Sequence, residues 1–407
     1  MADNKNSGWI GERPTPVQFG AILLVGVCGV LIAGLQPLLL GTLAQEGRIT
    51  ANQLGHAATA ELLLMGTACA YAGARWKAER LRAIGVVASL LLAALNLLTL
   101  RTNGEMVTLV RALAGIPSGI MIWITIAMIT RSPTPERWSG IYLTLQTLAQ
   151  FVIAAALTTW VAPFYGANGG FVALAVVCAV TAAVAFVLPD HFAPLIASAN
   201  ASGLPGSSPL PQGEVGRSPG EGWLALAAIF LFLAFIVGVW VYAEPLSRQA
   251  GHAPSVAGVA VSASLAFQVL GGATATLLAG RLRWFPTILV CSLLNVGCLL
   301  SFAALPGESV FIATSAAFGF LWLFVLPFLV PMVIAADPTR RAAVLVGGAE
   351  LLGASLGPLL VSFIVTDSDA RGAIAFGAGA LVLALLIAAV LHRRESRTTG
   401  TMAEIAD

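Results

Sequence analysis

Of 407 residues, 58% are hydrophobic and 10% charged, with a mean hydropathy of +0.90 and a formal net charge of +2. A soluble domain carries about 25% charged residues, so this composition excludes a water-soluble protein and puts the chain in a bilayer. The small net charge carries no nucleic-acid signal, and the basic residues are explained by membrane topology below.

About 20 apolar residues cross a hydrocarbon core, and the sequence offers twelve such stretches: 18–43, 51–74, 83–100, 104–130, 138–161, 167–188, 222–247, 254–280, 285–304, 309–335, 342–366 and 372–391. Backbone groups in lipid must bond within their own segment, so each stretch is predicted to be a helix. The hydrophilic first 17 residues precede a span too long for a signal peptide, which reads as an uncleaved first helix. In that helix Gln36 is followed by Pro37.

The second span holds Glu61 about 15 Å from its start, near the midplane. A carboxylate at that depth must face protein or water, pair with a cation, or take up a proton. Two readings follow: a proton carrier, or a protonated side chain bonded to a neighbouring helix as structural glue. The fourth span carries Arg111, the single basic residue inside a span, followed by Gly115 and Gly119 on its face, which permit close helix approach. Arg111 can compensate Glu61, hold a substrate carboxylate, or modulate the proton affinity of the acid. Gln146 and Gln150 in the fifth span, with Gln268 in the eighth, can bond across a helix interface. Trp138 to Pro189 must hold two spans, divided near "APFYGANGG" (162–170).

Residues 192–221 form a Gly, Pro and Ser-rich linker without hydrophobic period. It separates residues 1–191 from residues 222–392 and leaves a tail at 393–407. In the seventh span Glu244 and Pro245 lie close to Arg248 at the outer end, where a charge can reach water. With Gln36 and Pro37 they suggest a bend in both helices. The tenth span places Phe320, Phe324 and Phe328 on one helical face, with Trp322 nearby, either lining a cavity or packing against lipid. The eleventh holds Glu350, about 14 Å in from Arg341.

The two halves repeat. "LQPLL" (35–39) matches "AEPLS" (243–247), and "GEMVTLVRALAG" (104–115) matches "GESVFIATSAAFG" (307–319) with one insertion. The same register sets Glu61 opposite Gln268 and Gln146 opposite Glu350. With the N-terminus inside, sixteen Lys and Arg fall in inner segments and four in outer loops, as cytoplasmic retention of basic residues requires. Parallel six-helix repeats are the build of a rocking secondary transporter with its substrate near the midplane.

Over nearly its whole length the chain resembles the major facilitator superfamily. "LVRALAGIPSG" (109–119) looks like that family's helix 4 motif, carried by Arg111, Gly115 and Gly119. "GARWKAERLRA" (73–83) stands where the family has a glycine, aspartate and basic-residue loop; Gly73 and the basic cluster fit, while the aspartate is missing and Glu79 is a displaced substitute. The resemblance implies an all-α integral membrane fold of twelve helices in two pseudo-symmetric halves. Helices 1, 4, 7 and 10 would line a central cavity, helices 2, 5, 8 and 11 would join the halves, and helices 3, 6, 9 and 12 would face lipid. Candidate proton-coupling residues are then Glu61, Arg111 and Glu350. Candidate cavity residues are Gln36, Arg111, Trp123, Glu244, Phe320, Trp322 and Phe324, and the helix-contact candidates are Gly115, Gly119, Gln146 and Gln268.

The expected function is alternating-access transport of a small organic solute, coupled to protons. Efflux of lipophilic compounds and a transport-inactive membrane sensor are the alternatives. Four scattered histidines without a Ser/His pair, metal spacing or phosphate loop speak against an enzyme. Five cysteines inside apolar spans, without CxxC spacing, support neither a disulfide framework nor a metal site, and no cofactor is expected. The expected setting is a bacterial inner membrane, as a monomer with both termini cytoplasmic.

Overall fold

A computed structural model describes residues 8–195, 219–365 and 369–406, so the greater part of the expected linker lies outside the described residues. The first six helices are α1 (Pro16–Gln45), α2 (Ala51–Arg75), α3 (Leu81–Thr99), α4 (Glu105–Ile129), α5 (Pro135–Ala156) and α6 (Ala162–Ala185). The second six are α7 (Pro219–Trp240), α8 (Pro254–Leu278), α9 (Trp284–Ala303), α10 (Glu308–Ala336), α11 (Val346–Ser362) and α12 (Gly372–Ala406). Local chemistry sets several starts. Thr15 with Gln18, and Thr50 with Gln53, form reciprocal capping boxes at the heads of α1 and α2.

Eleven of these helices are long and apolar enough to cross a membrane. The remaining one, α2, contains Gln53, His56 and Glu61 and is the least apolar of the first six. It is nevertheless a continuous 25-residue helix packed against α4 and α11.

Proline and glycine decide the breaks. Pro245 lacks an N–H for Val241 and its ring crowds that carbonyl, so α7 stops at Trp240 and resumes as a short helix, Ala243–Gln249. The matching place in α1 shows no break: α1 runs on past Pro37 to Gln45. Between α5 and α6 the chain makes a π-helical turn, Leu157–Val161, and then turns sharply at Gly166 (φ 57°), where Glu46 accepts from Ala167 N at 2.7 Å. The last helix continues into the expected tail.

Within the halves the most extensive packing is α2 on α4 and α8 on α10. Between halves, α2 meets α11 and α5 meets α8 and α10. Several of the contacts that join the halves lie at the end of the bundle that carries the chain termini. There Gly73 lies against Val344 and Leu345, Gly140 against Thr276, and Gly272 against Thr144. Arg340, from the loop after α10, donates to Thr130 O at 2.7 Å and Ser132 O at 2.9 Å, across the seam. At the opposite end Gly41, Gly55 and Gly258 have open space where a side chain would be.

Candidate functional site

Glu61 and Arg111 form an ion pair with neither side chain exposed. Arg111 Nη2 is in close contact with Glu61 Oε1, and Arg111 Nε donates to Oε2 at 3.2 Å. The rest of the guanidinium is also engaged: Nη1 donates to Asn96 Oδ1 at 2.9 Å and to Thr99 Oγ1 at 3.4 Å, and the Phe171 ring lies 5.4 Å from its carbon. Gln36 Nε2 donates to Glu61 Oε2 at 3.2 Å and to Ala58 O at 3.3 Å. Asn96 Nδ2 in turn reaches Cys178 Sγ at 3.7 Å, and Cys178 touches Cys28 at 3.7 Å. Five helices of the first half thus converge on one charged unit. A desolvated carboxylate and guanidinium hold each other only with bonds to their remaining lone pairs and protons, which Gln36, Asn96 and Thr99 supply.

Helix contact makes this possible. A Cβ on Gly115 would collide with Glu61 O and lie 2.9 Å from Met65 N, and one on Gly119 would collide with Met65 O. The two glycines let α4 press its backbone on α2 and bring Arg111 level with Glu61. In the second half Gly319 presses on Ser264 in the same manner. Gly115 corresponds to Gly319, so Glu61 corresponds to Ser264 and Arg111 to Ser315. This corrects the expected register of Glu61 against Gln268 by one helical turn; apolar helices align equally well at such a shift. The hydroxyls of Ser264 and Ser315 and the Gln268 amide nitrogen are buried without a hydrogen-bond partner. The charged unit therefore belongs to one half alone.

Other expected site residues fall elsewhere. Gln36 and Arg111 are buried inside the first half, both engaged with Glu61. Trp123 is 1% exposed and packs edge-on against Trp76, 5.8 Å away, near the terminal end of α4. Glu244 is largely exposed and paired with Arg248 at 2.6 Å on the same short helix. Phe320 and Phe324 stack at 5.5 Å, whereas Trp322 meets Trp240 of α7 at 6.2 Å. Two residues along a helix is a turn of about 200°, so the Phe face and Trp322 cannot share one cavity. The expected glutamine bond between α5 and α8 is absent: Gln150 donates instead to Val30 O of α1 at 3.0 Å, and Gln268 Nε2 has no partner.

Glu350 behaves differently from Glu61. On α11, Gly353 and Gly357 pack on Phe230, Leu233 and Ala234 of α7, while Gly348, Leu351 and Ser355 face α2. Gly347 lies on Ile122 and Ile126 of α4. At 100° per residue, Glu350 falls between the α7-facing and α4-facing sides, on the arc that looks to the axis between the halves. It is half-buried and has no hydrogen-bond or ion-pair partner among the described residues. Glu350 lies at the level of Gly66 to Ala70 on α2, about 10 Å along the axis from Glu61. The expected sharing of one interface by the two carboxyls therefore does not arise. Asn96, Thr99 and Phe171 are partners of Arg111, with Cys178 behind Asn96, that the sequence does not assign, and a lone Asn96 in an otherwise apolar span is their one signal.

Two six-helix halves about a central axis, closed at one end and holding a buried charged unit, define a membrane transporter fold. The chain belongs to the Major Facilitator Superfamily, whose model matches residues 19–348. Among solved structures, the superfamily transporter FucP in the outward conformation is similar with a TM-score of 0.70 and 13% identity, covering 92% of this chain and 98% of its own. The proton:xylose symporter XylE, bound to 6-bromo-6-deoxy-D-glucose, gives 0.65 and 13%, covering 91% and 94%. A variant of the E. coli fucose:proton symporter gives 0.67 and 13%, covering 93% and 99%. At such identity the likeness speaks for the fold alone. No curated protein matches in sequence.

Proposed function

We propose that this protein is a proton-coupled secondary transporter of a small organic solute, working by alternating access, with Glu350 as the residue that takes and releases the proton. The observation that carries this reading is the contrast between two acids at membrane depth. Glu61 is neutralised by Arg111 and enclosed, whereas Glu350 has no counter-charge and borders the axis between the halves. An unpaired carboxyl in low dielectric favours its protonated form, which is what a proton carrier needs. Two of the similar structures are described as proton symporters. The split of basic residues favours cytoplasmic termini in a bacterial inner membrane, and the halves supply a complete axis within one chain, in keeping with a monomer.

The test is transport in liposomes without ATP, under a pH gradient of either sign, over a panel of sugars, amino acids, carboxylates and organic cations. At least one solute should accumulate against its own gradient, and Glu350→Gln should abolish that accumulation. Accumulation undiminished in the variant removes Glu350 from the coupling; no movement of any solute removes the transport reading.

A further inference from the structure

The charge inventory of the path between the halves restricts what can travel along it. Arg111 is the single basic residue inside a span, and it makes four hydrogen bonds to Glu61, Asn96 and Thr99 with no exposed surface. The remaining basic side chains lie at helix ends and in connecting segments. Among the described residues no cation inside a span is left to receive the anionic group of a solute. The acid Glu350, by contrast, is half-buried on the axial arc of α11 and has no hydrogen-bond or ion-pair partner among the described residues. Its counterpart in the repeat, Gln146 of α5, is half-buried and uncharged, so nothing across the axis balances it.

Resting on the reading of Glu350 as the proton-exchanging acid, we infer that the solute carries a positive charge: an organic ammonium with an apolar body, whose charged head docks on the Glu350 carboxylate. Proton and ammonium are then alternative occupants of one group. When the ammonium arrives, the carboxyl releases its proton to the water of the open end, and the charge of the site is conserved. The other titratable groups facing Glu350 are Cys69 on α2 and Tyr142 on α5, both within electrostatic reach. The faces of α4 and α7 against α11 offer Ile122, Ile126, Phe230, Leu233 and Ala234, none of which titrates. Tyr142 is itself occupied, donating to Gly26 O at 3.3 Å.

Binding tests this independently of transport. Purified protein in detergent is melted with matched probes: phenethylamine, benzyltrimethylammonium and tetraphenylphosphonium as cations, phenethyl alcohol as the neutral analogue, phenylacetate as the anion. At least one cation should raise the apparent Tm in a saturable manner, because a ligand bound to the folded state stabilises it by mass action. The alcohol and the anion should not, and Glu350→Gln should melt normally but lose the cation response. Stabilisation by phenylacetate, an equal response to the alcohol, an unchanged cation response in Glu350→Gln, or no response to any cation would each overturn the inference. Liposome transport of a neutral or anionic solute alongside such a result would leave the transport reading intact, which separates the two failures.

Discussion

Arg111 and Glu61 each have no exposed surface, so a change in either leaves the other as an isolated charge in low dielectric. Arg111→Gln should therefore destabilise the protein by about 3–5 kcal/mol, as removal of one partner of a buried pair does. Glu61→Gln should do the same. The double variant, with two neutral amides in the same volume, should be more stable than either single one, and the non-additivity is read from a double-mutant cycle by urea or thermal denaturation in detergent. Additive losses would mean that the two side chains are held by their other neighbours and not by each other. That these two residues meet was legible in the sequence, because one acid and one base at similar depth have few other ways to satisfy their charge. Asn96 was visible as a polar residue without an address, and only the packing of α3 and α6 around α4 gives it one. Trp123 was misread as a cavity residue because aromatic side chains in membrane helices have the same spacing whether they face a cavity, lipid or another helix.

The elements themselves were largely written in the sequence through apolar length and caps. The exception is informative. In α2 the buried polar side chain is Glu61, while His56 is exposed and Gln53 half-buried near the head of the helix, so mean hydropathy passes over a span that the charge-free flanks of Glu61 still mark. The break of α7 belongs to Pro245, while α1 runs unbroken past Pro37 in the matching place, so the shared motif does not by itself decide a break. At the contact of α2 and α4 the sequence was explicit, since Gly115 and Gly119 at four-residue spacing announce a backbone-to-backbone approach. A methyl group at 115 would meet Glu61 O, which cannot move without unwinding α2. Gly115→Ala should accordingly force the helices apart and cost about 1–3 kcal/mol, seen as a lower Tm. It should also weaken the Glu61 and Arg111 coupling in the double-mutant cycle, a second readout that a simple packing defect elsewhere in α4 would leave unchanged.

At the scale of the molecule, the two halves meet at the terminal end, and one polar tie across that seam is Arg340. Its guanidinium caps the carboxyl-terminal end of α4 through Thr130 O and Ser132 O, a place where unpaired carbonyls and the helix dipole both favour a cation. Glu136, at the head of α5, lies within electrostatic reach of the same side chain and beside Gly280 at the foot of α8. Arg340 also has a left-handed backbone (φ 59°), a conformation that costs a side chain about 1 kcal/mol. The closed state must therefore supply the bonds that hold it so. If alternating access opens this end, these two bonds are broken in each cycle, and each charge-assisted bond contributes about 1.5–3 kcal/mol before the half-exposed setting of Arg340 reduces it. Arg340→Gln should then shift the closed-to-open ratio toward opening by about tenfold, equivalent to about 1.4 kcal/mol. Spin labels at the exposed positions Lys77 and Arg341, one on each half, read this as growth of a longer-distance population. Arg340→Gly removes the same bonds but relieves the backbone, so it should open the seam equally without lowering the Tm as far. An unchanged distance distribution in both variants would assign the closure to the glycine contacts of α2 with α11 and α5 with α8, and leave Arg340 as a cap on α4 alone.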